Sequence, residues 1–378
     1  ACYSTSDAAS GATSVCPGGV TESTAPGSGV NCDVAVAGCD HGTHVAGTVA
    51  GNDGVGPNYG VARGAELIAV QVFSRFDGSI CTGFGLPDPC ALTYGSDQIK
   101  GLERVYALRL TYPVASANMS LGGGQYFDQA SCDSANALQK VAIDNLRAVG
   151  IATAIASGNS GFTDSMGGPG CISSAVSVGA TDDSDVVASF SNIAPFIDLL
   201  APGVSITSSI PGGGTATWQG TSMATPHVAG AWAVLKQAEP TASVDSVLAA
   251  LRDTGTSVDD TRPGGTVTDM RRINVDLATA VLAGGATDSF TILNDGSAPL
   301  SVTGITPASP APWISVSPTT LVVPPGGSSV VVVTVDYSLA PAGSSTVQLL
   351  VTSNDPDESP YPGGVNVTVV TPSTGTAA

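Results

Sequence analysis

Apolar positions along this chain follow two periods, which predict alternating strands and helices. Nearly continuous apolar runs at Ala65–Phe73, Val114–Leu121, Ile151–Ala156, Ala175–Ala180 and Ile197–Ala201 predict strands covered on both faces, as in a parallel sheet. Helical spacing of Ile99, Leu102, Val105, Tyr106 and Leu108 predicts a helix over Gly95–Leu110. Leu138, Val141, Ala142, Leu146 and Val149 predict another over Ser134–Val149, stopped by Gly150. Asp40 stands where an N-cap belongs, so a helix is expected from His41. Ser208–Trp218 reads as a hairpin turning at Pro211–Gly214. It leads into a small-residue apolar helix (Met223, Ala224, Val228, Ala229, Trp232, Ala233, Leu235) with Pro226 in its first turn, where a missing N–H costs least. Thr241–Arg252 and Ile273–Ala283 predict closing helices. This alternation implies an α/β fold, a doubly wound and mainly parallel sheet with its site at the carboxyl ends of the strands.

The period then changes. Asp288–Leu293, Leu300–Ile305, Trp313–Val316, Ser328–Tyr337 and Thr346–Ser353 are short, β-branched and separated by Pro/Gly turns, which predicts a small all-β sandwich. Residues 286–378 contain no Lys, Arg or Cys and carry a net charge of −6. Two domains are therefore expected, 1–284 and 286–378.

With 31 acidic and 12 basic residues, the chain has a net charge of −19, which argues against nucleic acid or an anionic membrane surface as a partner. No apolar run is long enough to span a membrane. No signal peptide is visible and the chain opens on Ala1-Cys2, so a mature or truncated piece is expected. All eight cysteines precede residue 172, none with a zinc-type spacing. An even set favours disulfides and an oxidising, extracellular compartment. The preferred pairing is sequential (Cys2–Cys16, Cys32–Cys39, Cys81–Cys90, Cys132–Cys171) among many alternatives, with Cys81–Cys90 singled out by the short Gly/Pro loop it encloses. Residues 1–40 read as an irregular, disulfide-pinned surface segment.

Three motifs carry candidate chemistry. Gly220-Thr221-Ser222-Met223-Ala224-Thr225-Pro226-His227-Val228-Ala229-Gly230 places a serine at a helix start, where its own N–H can face a reacting carbonyl. His41-Gly42-Thr43-His44-Val45-Ala46-Gly47-Thr48 supplies an imidazole, and Ser157-Gly158-Asn159-Ser160-Gly161 an amide after an apolar strand. In this order the motifs resemble the subtilisin-like serine proteases, the subtilases, over about residues 1–284. The resemblance implies a serine endopeptidase acting on polypeptide substrates as a secreted monomer. It implies Ser222 as nucleophile, His41 as general base and Asn159 as oxyanion donor, with a packing or hydrogen-bonding role for His44. It also implies that Ser120, Leu121 and Gly122 pair with substrate backbone. Ala156, Ser157 and Gly158, with Gly167 and Gly168, suggest an open pocket for the side chain before the scissile bond. Asn294-Asp295-Gly296 and Thr352-Ser353-Asn354-Asp355-Pro356 resemble bacterial immunoglobulin-like accessory modules.

The triad carboxylate finds no match. Asp7 has roughly the family's spacing but the wrong neighbours, and Asp33 and Asp40 lie too close to His41. The expectation is that this aspartate precedes Ala1 and that the chain as it stands is nearly inactive. No cofactor is expected to be required, although Asn52-Asp53-Gly54 falls where many subtilases bind calcium, with an altered ligand pattern. Two other classes remain open: an inactive subtilase-fold protein used for binding or adhesion, and another acyl hydrolase such as a lipase. The lipase reading lacks the second glycine of Gly-x-Ser-x-Gly at Ser222.

Overall fold

A computed structural model describes residues 1–54, 59–282, 285–336, 339, 343–356, 359–362 and 364–371. The last residues of two predicted elements, Ala283 and Tyr337, lie outside these. The chain forms two compact units, Ala1–Ile273 and Asn274–Ala378.

The first unit is built on a six-stranded sheet. Its strands run, side by side, Thr256–Val258, Met270–Arg272, Leu199–Pro202, Val176–Thr181, Ala152–Ala156 and Ser116–Met119. All pairings are parallel except that of the Thr256–Val258 edge strand. Ala152–Ala156 and Val176–Thr181 are buried along their whole length, which is why they lack a polar alternation. The serine helix, Thr221–Ala238, packs across four of these strands. Ile155 joins Ile143 and Leu146 of the Ala137–Ala148 helix in a separate core cluster. The expected α/β arrangement is therefore present.

Three local expectations fail for identifiable reasons. Ala65–Phe73 does not form a strand; the nearest one is Phe73–Phe76, paired antiparallel with Ala12–Ser14 and Cys90–Thr93. A parallel strand needs a continuous hydrogen-bonded ladder, and the backbone of residues 65–72 is bridged to a strand at one place, Gln71 with Cys2, besides single bonds such as the Ala1 amine on the Ala69 carbonyl and Thr93 Oγ1 on the Val72 carbonyl. Leu67 and Ile68 are left exposed. The predicted Ser134–Val149 helix is broken at Asn136 into Gln129–Ala135 and Ala137–Ala148, with Asn136 Nδ2 donating to the Cys132 carbonyl at 2.9 Å. Its second half buries Ala142, Ile143 and Leu146, whereas Leu138 and Val141 are exposed. The next helix starts at Val244 rather than Thr241 and runs to Thr254, because the Ser243 hydroxyl caps it by accepting from Ser246 N–H at 3.0 Å.

The disulfides are Cys2–Cys16, Cys32–Cys39, Cys81–Cys90 and Cys132–Cys171, the sequential pairing. Cys132–Cys171 closes the longest loop, with a sequence separation of 39. Loop-closure entropy then gives it about 4 kcal/mol, so the C132S/C171S double variant should lose roughly that much in urea unfolding. An unchanged midpoint would show that the bridge is thermodynamically idle.

The second unit begins before the expected boundary at 284–286. Ile273 N–H still donates to Leu200 in the first unit, whereas the Val275–Leu282 helix packs on strands Gly285–Leu293 and Ser328–Asp336. Two antiparallel sheets follow, ordered Gly285–Leu293, Ser328–Asp336, Ile314–Ser317 and Leu321–Val323, Leu300–Pro307, Gly343–Ser353, Val365–Thr371. Val302, Ile305, Val331, Val333, Leu349 and Val351 form one core between them. Leu321–Val323 and Val365–Thr371 are strands that the apolar runs did not single out.

Candidate active site

The serine helix starts abruptly at Gly220, whose φ of 152° suits glycine. Its N–H donates to Gly203 O at 2.8 Å, anchoring the helix start to the end of the Leu199–Pro202 strand. The approach is close: a Cβ on Gly203 would stand 2.8 Å from Gly220 O and 2.5 Å from the Ala180 Cβ. Thr221 is buried, and Ser222 is half-buried at the helix N-terminus, where backbone N–H groups have no intrahelical acceptor. Pro226 lies deeper than its sequence context predicts, in the second turn. Having no N–H, it leaves the Ser222 carbonyl without its i+4 donor. The Ser120 hydroxyl takes that place at 2.8 Å, while Ser222 Oγ donates weakly to Ser120 O at 3.4 Å. The Ser116–Met119 strand end is thereby tied to the nucleophile.

Asn159 arrives from the far end of the Ala152–Ala156 strand. Its Oδ1 accepts from Thr221 N–H at 2.8 Å and from Thr221 Oγ1 at 2.9 Å. That double clamp commits the oxygen and leaves both Nδ2 hydrogens without an acceptor among the described residues. The serine motif alone assigns Thr221 no role; its signal is its place directly before the nucleophile, at the first helical N–H.

His41 opens the His41–Ala50 helix, which packs on the serine helix. Asp40 does not cap it through its side chain; its carbonyl instead accepts from Thr43 and His44 N–H. His44, fully buried, stacks on Trp218 with centroids 4.3 Å apart and donates from Nε2 to Ala216 O at 3.0 Å. Ser208 Oγ donates to His44 O at 2.7 Å. The hairpin of Ile206–Ser209 and Thr215–Trp218 thus grips the histidine helix and runs directly into Gly220. Among the described residues, no carboxylate hydrogen-bonds the His41 ring and no hydrogen bond joins His41 to Ser222.

Burial holds the His41 imidazole below its usual value near 6.5, the neighbouring His44 adding to the effect and Asp40 opposing it. Burial also lowers His44 and His227. All three bind protons less readily folded than unfolded, so their contribution to stability is full above about pH 6.5 and is lost as pH falls through the lower folded values. An NMR titration should place the His41 midpoint below about 6.5; a midpoint above it would reverse the sign of this linkage.

The candidate substrate residues flank these groups. Ser120 and Leu121 follow the Ser116–Met119 strand, Leu121 packing on the core beneath, and Gly122 is exposed. Gly123 pairs with Gly168. Ala156 and Ser157 are buried, and the Ser157 carbonyl accepts from Gly167 N–H at 2.8 Å; Gly158 is half-buried with φ 110°. In the Asn52-Asp53-Gly54 turn, Asn52 accepts from Gly54 N–H and donates to Arg63 O. Among the described residues no three His, Cys, Asp or Glu side chains gather to hold an ion. No described helix is long and apolar enough to cross a membrane.

The chain is similar to known proteins over most of its first unit. Residues 21–270 match the Peptidase_S8 model, described as the subtilase family. Subtilisin NAT of Bacillus subtilis subsp. natto is 39% identical over 223 residues, covering 58% of this chain and 51% of that protein. Subtilisin Savinase of Lederbergia lenta is 36% identical over 222 residues, 58% of this chain and 72% of that protein. A solved protease structure from Pseudoalteromonas arctica PAMC 21717 superposes with a TM-score of 0.52 at 28% identity, covering 67% of this chain and 72% of that one. The chain thus spans about half the length of Subtilisin NAT.

Proposed function

The chain belongs to the subtilase family, and on that premise we propose that it is the catalytic part of a secreted serine endopeptidase joined to an immunoglobulin-like accessory module. The observation that carries the reading is the clamp of Asn159 Oδ1 by Thr221, which sets an unengaged amide beside the N-terminal turn bearing Ser222. Ser222 Oγ attacks the substrate carbonyl as His41 takes its proton. Asn159 Nδ2–H and the Ser222 N–H receive the oxyanion. His41 then protonates the leaving amine, and water resolves the acyl-enzyme by the same route in reverse.

Substrate backbone runs along Ser120–Gly122, with the side chain before the scissile bond among Ala156–Gly158, Gly167 and Gly168. None of the described acids hydrogen-bonds the His41 ring. The net charge of −19 disfavours nucleic acid as a partner, leaving polypeptides as substrates. The acyl transfer needs no cofactor, whereas a structural calcium at Asn52–Gly54 would show as a fall in Tm on chelation.

Fluorophosphonate labelling of the full gene product tests the reading. Label should map to Ser222. An unlabelled Ser222 would instead support a binding protein that keeps only the fold.

A further inference from the structure

We propose that Asn192 is a positioning residue for the oxyanion donor, holding the loop that presents Asn159; this rests on the endopeptidase reading above. Asn192 is 1% exposed and belongs to none of the three chemical motifs. Its Oδ1 accepts from Ser160 N–H at 2.9 Å and from Phe162 N–H at 3.1 Å. Its Nδ2 donates to Ser157 O at 3.2 Å, and its backbone N–H donates to Gly158 O at 3.0 Å. One residue therefore engages the backbone two residues before, one before, one after and three after Asn159.

The loop has little stiffness of its own. It leaves the Ala152–Ala156 strand through Ser157 and Gly158, passes Asn159 and Ser160, and turns at Gly161 with φ 70°. Gly158 must lack a side chain, because a Cβ there would stand 2.3 Å from Asn192 Nδ2. Asn192 is fixed from behind in turn. Arg262 Nη1 donates to Ser191 O at 2.6 Å and Nη2 to Phe162 O at 3.3 Å, while the guanidinium is paired with the buried Asp260. Thr221 holds the far end of the Asn159 side chain, and Asn192 holds the backbone from which that side chain springs. An oxyanion donor acts only when preorganised at the place where charge develops, so a loop free to shift by a fraction of an ångström forfeits much of its effect.

A double-mutant cycle in the full gene product separates positioning from general structure. N192A should lower kcat by roughly 10- to 100-fold with KM within about twofold, part of the loss that accompanies removal of the donor itself. On top of N159A the same change should cost less than about threefold, because there is no donor left to misplace. If N192A does not accumulate folded, N192D takes its place in the cycle, keeping the shape and the oxygen that faces Ser160 and Phe162. Full additivity of the two changes, or an N192 variant with undiminished kcat, would overturn the proposal. A wild-type kcat in N159A would overturn the donor reading and this inference with it, whereas additivity alongside a crippled N159A overturns this inference alone.

Discussion

Replacing Ser222 with alanine in the full gene product is expected to lower kcat by about 10⁶-fold, a magnitude carried over from subtilisin itself. The same change should leave stability within about 0.5 kcal/mol. The reason lies in what the side chain touches. The contact of Ser222 Oγ with Ser120 O is long, 3.4 Å, and adds little. The bond that ties strand to helix runs the other way, from Ser120 Oγ to the Ser222 carbonyl, and survives the substitution. Chemistry and folding are thereby separable at this position. Kinetics on a folded S222A sample with an unchanged Tm would establish the nucleophile; retention of even a hundredth of the activity would exclude it.

The second large effect is expected at Asn159, where two roles can be pulled apart. N159A removes both the candidate donor and the acceptor for Thr221. It should lower kcat by about 10²–10³-fold with little change in KM, again the range known from subtilisin, and also lower Tm, because a helix N-terminus loses its cap. N159D keeps an acceptor for Thr221 and places a negative charge at the positive end of the serine helix, which favours stability. It offers the oxyanion repulsion in place of a hydrogen bond. The aspartate variant should therefore be at least as inactive as the alanine variant while melting at or above it. A more active aspartate variant would mean that Asn159 is not the oxyanion donor, and a lower-melting one would mean that its oxygen does not cap the serine helix.

The parts of the fold that were legible in the sequence are those whose cause is local. Continuous apolar runs such as Ile151–Ala156 and Ala175–Ala180 form doubly covered strands as predicted, and Gly212, Gly213 and Gly214, all at positive φ, mark the tip of the expected hairpin. Ser222 and Asn159 were visible because their neighbours are small and repeat a known pattern. What failed depends on partners distant in sequence. Ala65–Phe73 has the composition of a strand, but residues 65–72 touch a neighbouring strand at one bridge, Gln71 with Cys2, and form no continuous ladder. Pro226 looked harmless because its cost falls on the Ser222 carbonyl, and the remedy, Ser120, lies more than a hundred residues away. Asn192 follows Ser191 in a loop and reads as an ordinary turn residue; only the fold reveals that its amide spans the Ser157–Phe162 segment.

The four disulfides end at residue 171, and one of them closes at Cys39, two residues before His41. The nucleophile's helix and the strands at Val176–Thr181 and Leu199–Pro202 contain no sulfur cross-link at all. A thiol reductant would therefore act on the His41 end through Cys32–Cys39 and on the core around Ile155 and Leu121 through Cys132–Cys171, while the nucleophile's helix has no cross-link of its own to lose. Inactivation by reduction should accordingly be graded and recoverable on reoxidation, with alkylation of the freed thiols making it permanent.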